Sequence, residues 1–336
     1  MLPASMALIR EAYPDPHRRA RALGVWAVGG AVAGALGPPI GGLLATFDWR
    51  LVFWINLPVC VAMLVLLRTV RRSPTATSRF DWAGQILAVT SLGALIFCLI
   101  EGGSAGFGSP AVLATAAIAV LGTAAFIAIQ ARSRSPMMPL SLFSPPGMRI
   151  AVAVGFAFMV SNFGTVFLVS LFLQQHLGLS PLAAGLLVFP SAIFSVAGNL
   201  SSGPITVRFG TRLPVVAGLS SMALGVLAMT AVAPLGSAVA VSSLLVLTGA
   251  GGSLAMPPVT GLVLASVPPE RAGTASAVFN TFRQVGGAVA IAVFGALISR
   301  PATFVTGMQI SLLVTATLLI ATALVSLRIR MHPGRT

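Results

Sequence analysis

The sequence contains very few charged residues and almost no acids. Of its 336 residues, six are aspartate or glutamate, and charged residues make up 8% of the chain against 57% hydrophobic residues. A soluble globular protein of this length needs far more polar surface, so the composition predicts a polytopic membrane protein. Lysine is absent and all 20 basic residues are arginine. Because the arginines are scattered in short connections, the net charge of +14 does not indicate nucleic-acid binding.

Cysteines and catalytic motifs are also scarce. Cys60 and Cys98 each lie in an apolar run without companion histidines. We interpret them as small buried hydrophobic residues; a redox or metal pair is the alternative. The sequence has no triad-like set of serine, histidine and acid, no phosphate loop and no metal-ligand spacing. It therefore predicts a protein that is not an enzyme and that uses no metal or cofactor.

Long apolar runs divide the chain into ten candidate spans. They cover residues 22–47, 51–70, 82–100, 111–131, 150–173, 183–207, 213–232, 238–267, 272–298 and 307–327. A shorter run, 1–9, cannot cross a bilayer, because a transmembrane helix needs about 20 apolar residues. The predicted fold class is an all-α integral membrane protein with about ten complete transmembrane helices plus a partial first one.

The arginines predict the orientation of these spans. If the connection at 10–21 is cytoplasmic, 18 of the 20 arginines lie on the cytoplasmic side and only Arg50 and Arg300 lie outside. This asymmetry follows the positive-inside rule. It predicts a multi-pass protein of the cell membrane with a cytoplasmic C-terminus.

The first complete span is unusually rich in glycine. Gly30, Gly34, Gly37 and Gly41 recur at spacings of four, three and four, so a helix would carry them as one stripe that another helix can approach closely. Pro38 has no N–H and its ring crowds the Gly34 carbonyl, which predicts a bend. The stripe is consistent with simple helix packing or with a gating interface.

A short internal repeat points to two related bundles. The letters Gly-Gly-Ala-Val-Ala occur at 29–33 and again at 286–290. Internal repeats of this kind are typical of transporters whose two bundles rock about a central site. The run at 238–267 has a full N-terminal half before its prolines and the run at 1–9 does not, so we expect the chain to begin partway through a helix.

The glycine-rich stretch 30–42, GAVAGALGPPIGG, resembles the antiporter motif on the fifth span of the fourteen-span drug/proton antiporters of the major facilitator superfamily. Further segments similar to that family are DWR at 48–50, FWINLP at 53–58, SPMMPLSLF at 135–143, the region 173–185, and the polar and glycine positions of 280–287. The resemblance covers essentially the whole chain.

This resemblance implies a domain organisation and an N-terminally truncated chain. Residues 1–70 correspond to the remainder of an N-terminal bundle, holding the end of span four and spans five and six. Residues 71–149 correspond to two linker spans and a cytoplasmic connection, and 150–336 to a C-terminal six-helix bundle. The family's first span, where a membrane-embedded acid is common, has no counterpart here. We therefore expect no dye export from these residues alone.

The resemblance also implies two functional motifs. The antiporter motif comprises Gly30, Gly34, Gly37, Pro38, Gly41 and Gly42, and its expected role is mechanical, as a gating interface. A second motif resembles the superfamily's cytoplasmic loop and comprises Gly203, Arg208, Gly210 and Arg212. Val207 stands where an aspartate is usual, so the loop lacks that carboxylate's pairing.

Polar residues inside the spans are candidates for a substrate cavity, and interhelical hydrogen bonding is the alternative for each. The candidates are Asn162, Gln174, Gln175, Asn199, Asn280, Arg283, Gln284 and Glu101. The three on the last glycine-rich span are predicted to share a helical face. Arg283, as a cation inside a span, should face water or an acid, and a latch on the cytoplasmic side is one role it could have. Glu101 ends its span and is either a substrate or proton contact or a solvated helix end.

Two functions remain open at this stage. The first is a multidrug or small-molecule efflux transporter that works by proton-coupled antiport and alternating access. Its partners would be the lipid bilayer, a small amphipathic or apolar substrate and protons, with the proton gradient as the energy source. The alternative is a non-transporting truncated membrane protein, or a scaffold or regulatory subunit that needs a separate N-terminal piece.

Overall fold

The protein is described here from a computed structural model, which covers residues 8–9, 12–13, 15–68, 80–133 and 135–329. Within these ranges the regular elements are all helical. They are α1 (Pro16–Phe47), α2 (Leu51–Trp54), α3 (Asn56–Leu67), α4 (Trp82–Ala105), α5 (Pro110–Arg132), α6 (Pro146–Leu171), α7 (Pro181–Phe209), α8 (Arg212–Val232), α9 (Ala238–Ala265), α10 (Ala272–Leu297) and α11 (Phe304–Ser326). Short 3₁₀ turns and one π-helical turn, Phe172–His176, join some of them.

Eight of these helices, α4 to α11, are long and apolar enough to cross a membrane. They correspond to the last eight predicted spans, so the all-α membrane fold is confirmed. The first predicted span lies within α1, whose apolar part, Val32–Phe47, is shorter than the length that defines those eight. The second is represented by the apolar stretch Leu51–Leu67. The partial run at 1–9 lies outside the described residues except for positions 8 and 9.

The helices begin at positions that local chemistry explains. Five of them have an aspartate or serine at the N-cap, and each of these side chains accepts a hydrogen bond from the backbone N–H three residues on. This satisfies a donor that has no partner inside the helix. The capping residues are Asp15, Asp81, Ser109, Ser180 and Ser237.

The buried core lies among α6 and α8 to α11, where α9 packs against α7 and α8, and α6 packs against α10. Small residues allow this packing. A Cβ added at Gly251 would lie 2.5 Å from the Gly218 carbonyl oxygen, so α8 and α9 touch backbone to backbone. The Ser202 hydroxyl of α7 donates to the Leu254 carbonyl of α9 at 2.8 Å. Fully buried side chains include Met148, Leu168, Leu219, Leu245 and Leu312.

Helices α4 and α5 pack against each other, and α4 also contacts α10. Asp81 ties the start of α4 to the end of α5 and to the connection that follows. Its carboxylate accepts hydrogen bonds from the Gly84 N–H at 2.9 Å, the Gln130 amide at 2.6 Å and the Met137 N–H at 3.3 Å. The Gln130 carbonyl oxygen in turn accepts from the Met138 N–H at 2.9 Å. The bonds from Gly84 and then Gln130 hold the pKa of Asp81 below its usual value, because they stabilise the ionised carboxylate.

The two cysteines differ in their surroundings. Cys98 is buried in α4, as predicted, whereas Cys60 is exposed on α3 and the prediction of burial is wrong there. None of the residues of α3 is buried. The apolar run around Cys60 therefore forms an outward surface and contributes nothing to the protein core among the described residues.

Candidate functional site

Helices α1 and α7 meet backbone to backbone near the C-terminal end of α1. Gly42 is buried, and a Cβ added there would lie 2.6 Å from the Pro181 carbonyl oxygen. A Cβ added at Gly185 would lie 2.5 Å from the Pro38 carbonyl oxygen. Any side chain at either glycine would push the two helices apart, so glycine is required at both positions for this contact.

A cavity of about 230 Å³ lies beside this contact. Gly37, Pro38 and Gly41 line it from α1, and Gln174 lines it from the π-helical turn that ends α6. The Gln174 amide donates to the Ser170 hydroxyl at 2.9 Å. A π turn widens the helix locally and is common at functional sites. Here the π turn places Gln174 in the wall of the cavity that faces the glycine-rich helix α1.

None of the four glycines of the stripe, Gly30, Gly34, Gly37 and Gly41, makes such a contact among the described residues. A Cβ added at Gly30 or Gly34 would meet no heavy atom within 4 Å. The close contact therefore depends on Gly185 and on Gly42, which follows the stripe, whereas Gly37 and Gly41 only line the cavity beside the contact. Helix α1 continues through Pro38 to Phe47.

A larger cavity, of about 510 Å³, lies between α4 and α10. Asn280, Thr281 and Gln284 supply its polar groups, and apolar side chains that include Leu92 and Ile96 form the α4 wall. The Thr281 hydroxyl is used locally, since it donates to the Ala277 carbonyl at 3.0 Å. The two side-chain amides have no hydrogen-bond partner among the described residues. A cavity of this size, apolar with a few free polar groups, suits a small amphipathic molecule.

Arg283 does not line this cavity, which corrects the prediction that it shares a face with Asn280 and Gln284. Arg283 lies about 60° around the helix from Asn280 and about 100° from Gln284, and its side chain extends away from the cavity and lies against α6. Its guanidinium carbon is 5.7 Å from the centre of the Phe158 ring and 5.6 Å from that of Phe279. The Nε atom is buried without a hydrogen-bond partner in the described part of the chain.

Arg283 also lies further from the end of α10 than a latch at the helix end requires. It is about three turns, roughly 16 Å, from the start of α10. A charged side chain at the centre of a membrane helix costs about 2.5–3.5 kcal/mol on insertion scales, so such residues are usually functional.

The remaining candidates do not converge on either cavity. Asn162 is partly buried on α6, whereas Gln175 and Asn199 are exposed. Glu101 is partly buried near the end of α4. A third cavity, of about 330 Å³, is lined by the adjacent Gly102 and not by Glu101.

The loop motif forms the turn between α7 and α8. Gly210 has a φ of +77°, a left-handed conformation that favours glycine, and it ends α7. Arg208 is exposed and its guanidinium lies 5.1 Å from the centre of the Phe209 ring, while Arg212 begins α8. Gly203 is exposed, with no heavy atom within 4 Å of an added Cβ among the described residues.

The sequence reasoning missed several residues that shape these sites. Gly155 and Phe158 on α6 hold Arg283, and Leu92 and Ile96 form a cavity wall. Phe279, one turn before Arg283, was a usable signal, because an aromatic residue at that spacing can reach a cation on the same helix. The α4 wall gave no signal, because its side chains look like any lipid-facing surface.

A bundle of apolar spanning helices, with cavities between helices and a glycine contact beside one of them, is the architecture of a polytopic membrane transporter. The sequence agrees with this class: the profile of the major facilitator superfamily matches residues 1–291. The chain belongs to the major facilitator superfamily.

Similar proteins carry names that refer to drug resistance or export. The multidrug resistance protein Stp of Mycobacterium tuberculosis is 33% identical over 299 residues, 88% of this chain and 55% of its own length. The methylenomycin A resistance protein of Streptomyces coelicolor is 32% identical over 99% of this chain and 71% of its own length. The tetracenomycin C resistance and export protein of Streptomyces glaucescens is 33% identical over 89% of this chain and 56% of its own length. The chain thus spans only about half the length of several relatives.

Proposed function

We propose that this protein exports small apolar or amphipathic molecules by proton-coupled antiport, as a member of the fourteen-span drug/proton antiporters. We place it in the cell membrane with its C-terminus in the cytoplasm. The family membership and the names of the relatives support export. The observation that carries the mechanism is the contact of α1 with α7 through Gly42 and Gly185, next to a cavity.

In this proposal the α1–α7 contact is the gate. Because no side chain separates the two backbones, a small rotation of one helix against the other opens or closes the cavity beside them. Alternating access in transporters of this kind is largely such a rigid-body motion. The antiporter motif residues then act mechanically and take part in no covalent chemistry.

The cavity between α4 and α10 is the proposed site for the apolar part of the substrate. Its free Asn280 and Gln284 amides would orient one polar group of the molecule. The proton gradient is the proposed energy source. Since no carboxylate among the described residues lines this cavity or the one beside Gly42, we assign no proton site to either of them.

An efflux assay in bacteria without their own drug exporters tests this function. One culture expresses the chain alone. A second culture expresses the chain together with a separate polypeptide, the segment of the Mycobacterium tuberculosis relative that does not align with this chain. We expect ethidium efflux in the second culture, abolished by a protonophore, and none in the first. A non-transporting subunit predicts no efflux in either culture. Efflux from the chain alone would show that a proton site lies within it.

A further inference from the structure

Arg283 is a cation within a membrane helix that has no anionic partner among the described residues. In the described part of the chain, the single ion pair within 4.0 Å joins Arg50 to Asp48, at 3.6 Å, far along the sequence from Arg283. The Arg283 Nε atom is buried and makes no hydrogen bond there. A buried donor of this kind normally has a partner.

The surrounding residues hold the Arg283 side chain in place. A Cβ added at Gly155 would lie 2.9 Å from Arg283 Cγ, so the absence of a side chain there makes room for the arginine's aliphatic stem. Phe158, one turn further along α6, and Phe279, one turn earlier on α10, stand within 6 Å of the guanidinium. Their ring faces attract the cation and restrict its movement. The guanidinium is therefore pre-positioned.

The arrangement of Arg283 between Phe158 and Phe279, which we call the clamp, favours one class of ligand. A guanidinium presents its N–H groups as a planar fork that matches a carboxylate in a bidentate pair. The aromatic walls offer contact to apolar surface and no polar group, which disfavours a small hydrated anion. We propose that Arg283 binds the carboxylate of an amphipathic small molecule. This inference rests on the proposed function, in which amphipathic molecules are the substrates.

The second source of a carboxylate is Glu11, the one acidic residue of the sequence that lies outside the described residues. The two sources differ in their effect on the ligand-free protein. Removing an unpaired buried charge relieves its desolvation cost but loses the two ring contacts, so stability changes little, whereas removing one member of a buried pair strands the other and strongly destabilises the protein.

The test measures binding and thermal stability of the full chain in nanodiscs, with decanoate and decanol as matched probes. We expect decanoate to bind the wild type roughly tenfold more tightly than decanol and to raise its melting temperature. Arg283→Gln should bind both probes alike and, without ligand, should melt close to the wild type. Arg283→Lys keeps the charge without the fork and should show a smaller preference. Arg149→Gln removes an exposed arginine near the start of α6 that belongs to neither motif, and it should match the wild type.

Two results would overturn the proposal. The first is equal binding of decanoate and decanol to the wild type, or an unchanged decanoate preference in Arg283→Gln. The second is a lower melting temperature of ligand-free Arg283→Gln with no decanoate effect on the wild type, which would assign Arg283 to a carboxylate side chain. Neither readout involves transport. A decanoate preference without dye efflux would therefore keep this site while rejecting the export function.

Discussion

Adding one methyl group at the α1–α7 contact should separate the two helices. A Cβ at residue 185 lies 2.5 Å from the Pro38 carbonyl oxygen, whereas ordinary contact begins near 3.4 Å. The obstructing atom is backbone and cannot move to another rotamer, so the helices must shift by about 1 Å. Overpacking of this kind costs about 1–3 kcal/mol. We expect the same penalty for Gly42→Ala, whose Cβ meets the Pro181 carbonyl.

The assay is thermal unfolding in nanodiscs, followed by tryptophan fluorescence. All four tryptophans lie within residues 26–82, so their emission reports on the region that contains α1. The controls are Gly34→Ala on α1 and Gly93→Ala on α4, where an added Cβ meets nothing within 4 Å among the described residues. Each control gains about 1 kcal/mol of helix propensity. Gly185→Ala and Gly42→Ala should melt roughly 2–9 °C below the controls.

Equal melting temperatures for Gly185→Ala and Gly93→Ala would refute this reasoning. A larger drop in melting temperature for Gly34→Ala than for Gly42→Ala would also refute it, because that result would place the close contact near Gly34.

Three further changes test other parts of the structure. Gln284→Ala should weaken binding of an amphipathic dye by about fivefold, the value of one hydrogen bond, whereas Gln175→Ala, also exposed but lining neither cavity, should not. Equal effects would show that the dye does not bind in the α4–α10 cavity. Asp81→Asn should lower the free energy of unfolding by about 1.5–3 kcal/mol at neutral pH. Because the pKa of Asp81 is lowered in the folded state, this stabilisation is present above the unfolded value and is lost as pH falls below about 4. The wild type and the control Glu270→Gln should lose this stabilisation in acid, and their melting curves should show it. Melting curves of Asp81→Asn should lack this acid-dependent loss. Gly155→Ala would place its Cβ 2.5 Å from the Phe279 ring and 2.9 Å from Arg283 Cγ. It should displace both side chains and reduce the decanoate preference, and an unchanged preference would contradict the clamp.

The helical membrane fold could be predicted from the sequence because length and apolar composition are local properties. The runs that became α4 to α11 are apolar over their whole length. Helix starts such as Asp81 and Ser180 follow from side chains that satisfy backbone donors three residues away. None of this requires knowledge of a distant partner.

The site was less predictable because it depends on where distant helices cross. The stripe at 30–41 predicts a close approach to α1, but the contact is made at Gly42, because the crossing point is set by Gly185, more than 140 residues later in the chain. The spacing of Asn280 and Gln284 placed them correctly on one face. Arg283 departed from it because Gly155, on another helix, leaves space for its stem.

The central claim is that α1 and α7 move against each other when substrate binds. Spin labels at residues 47 and 186 measure that movement directly, because Phe47 is 77% exposed on α1 and Leu186 is 54% exposed on α7. Cys60 and Cys98 are replaced by serine so that only the introduced cysteines carry labels. Pulsed electron–electron double resonance on the full chain in nanodiscs should give two distance populations whose ratio changes on addition of ethidium. A single distribution that is the same with and without ethidium would contradict the account.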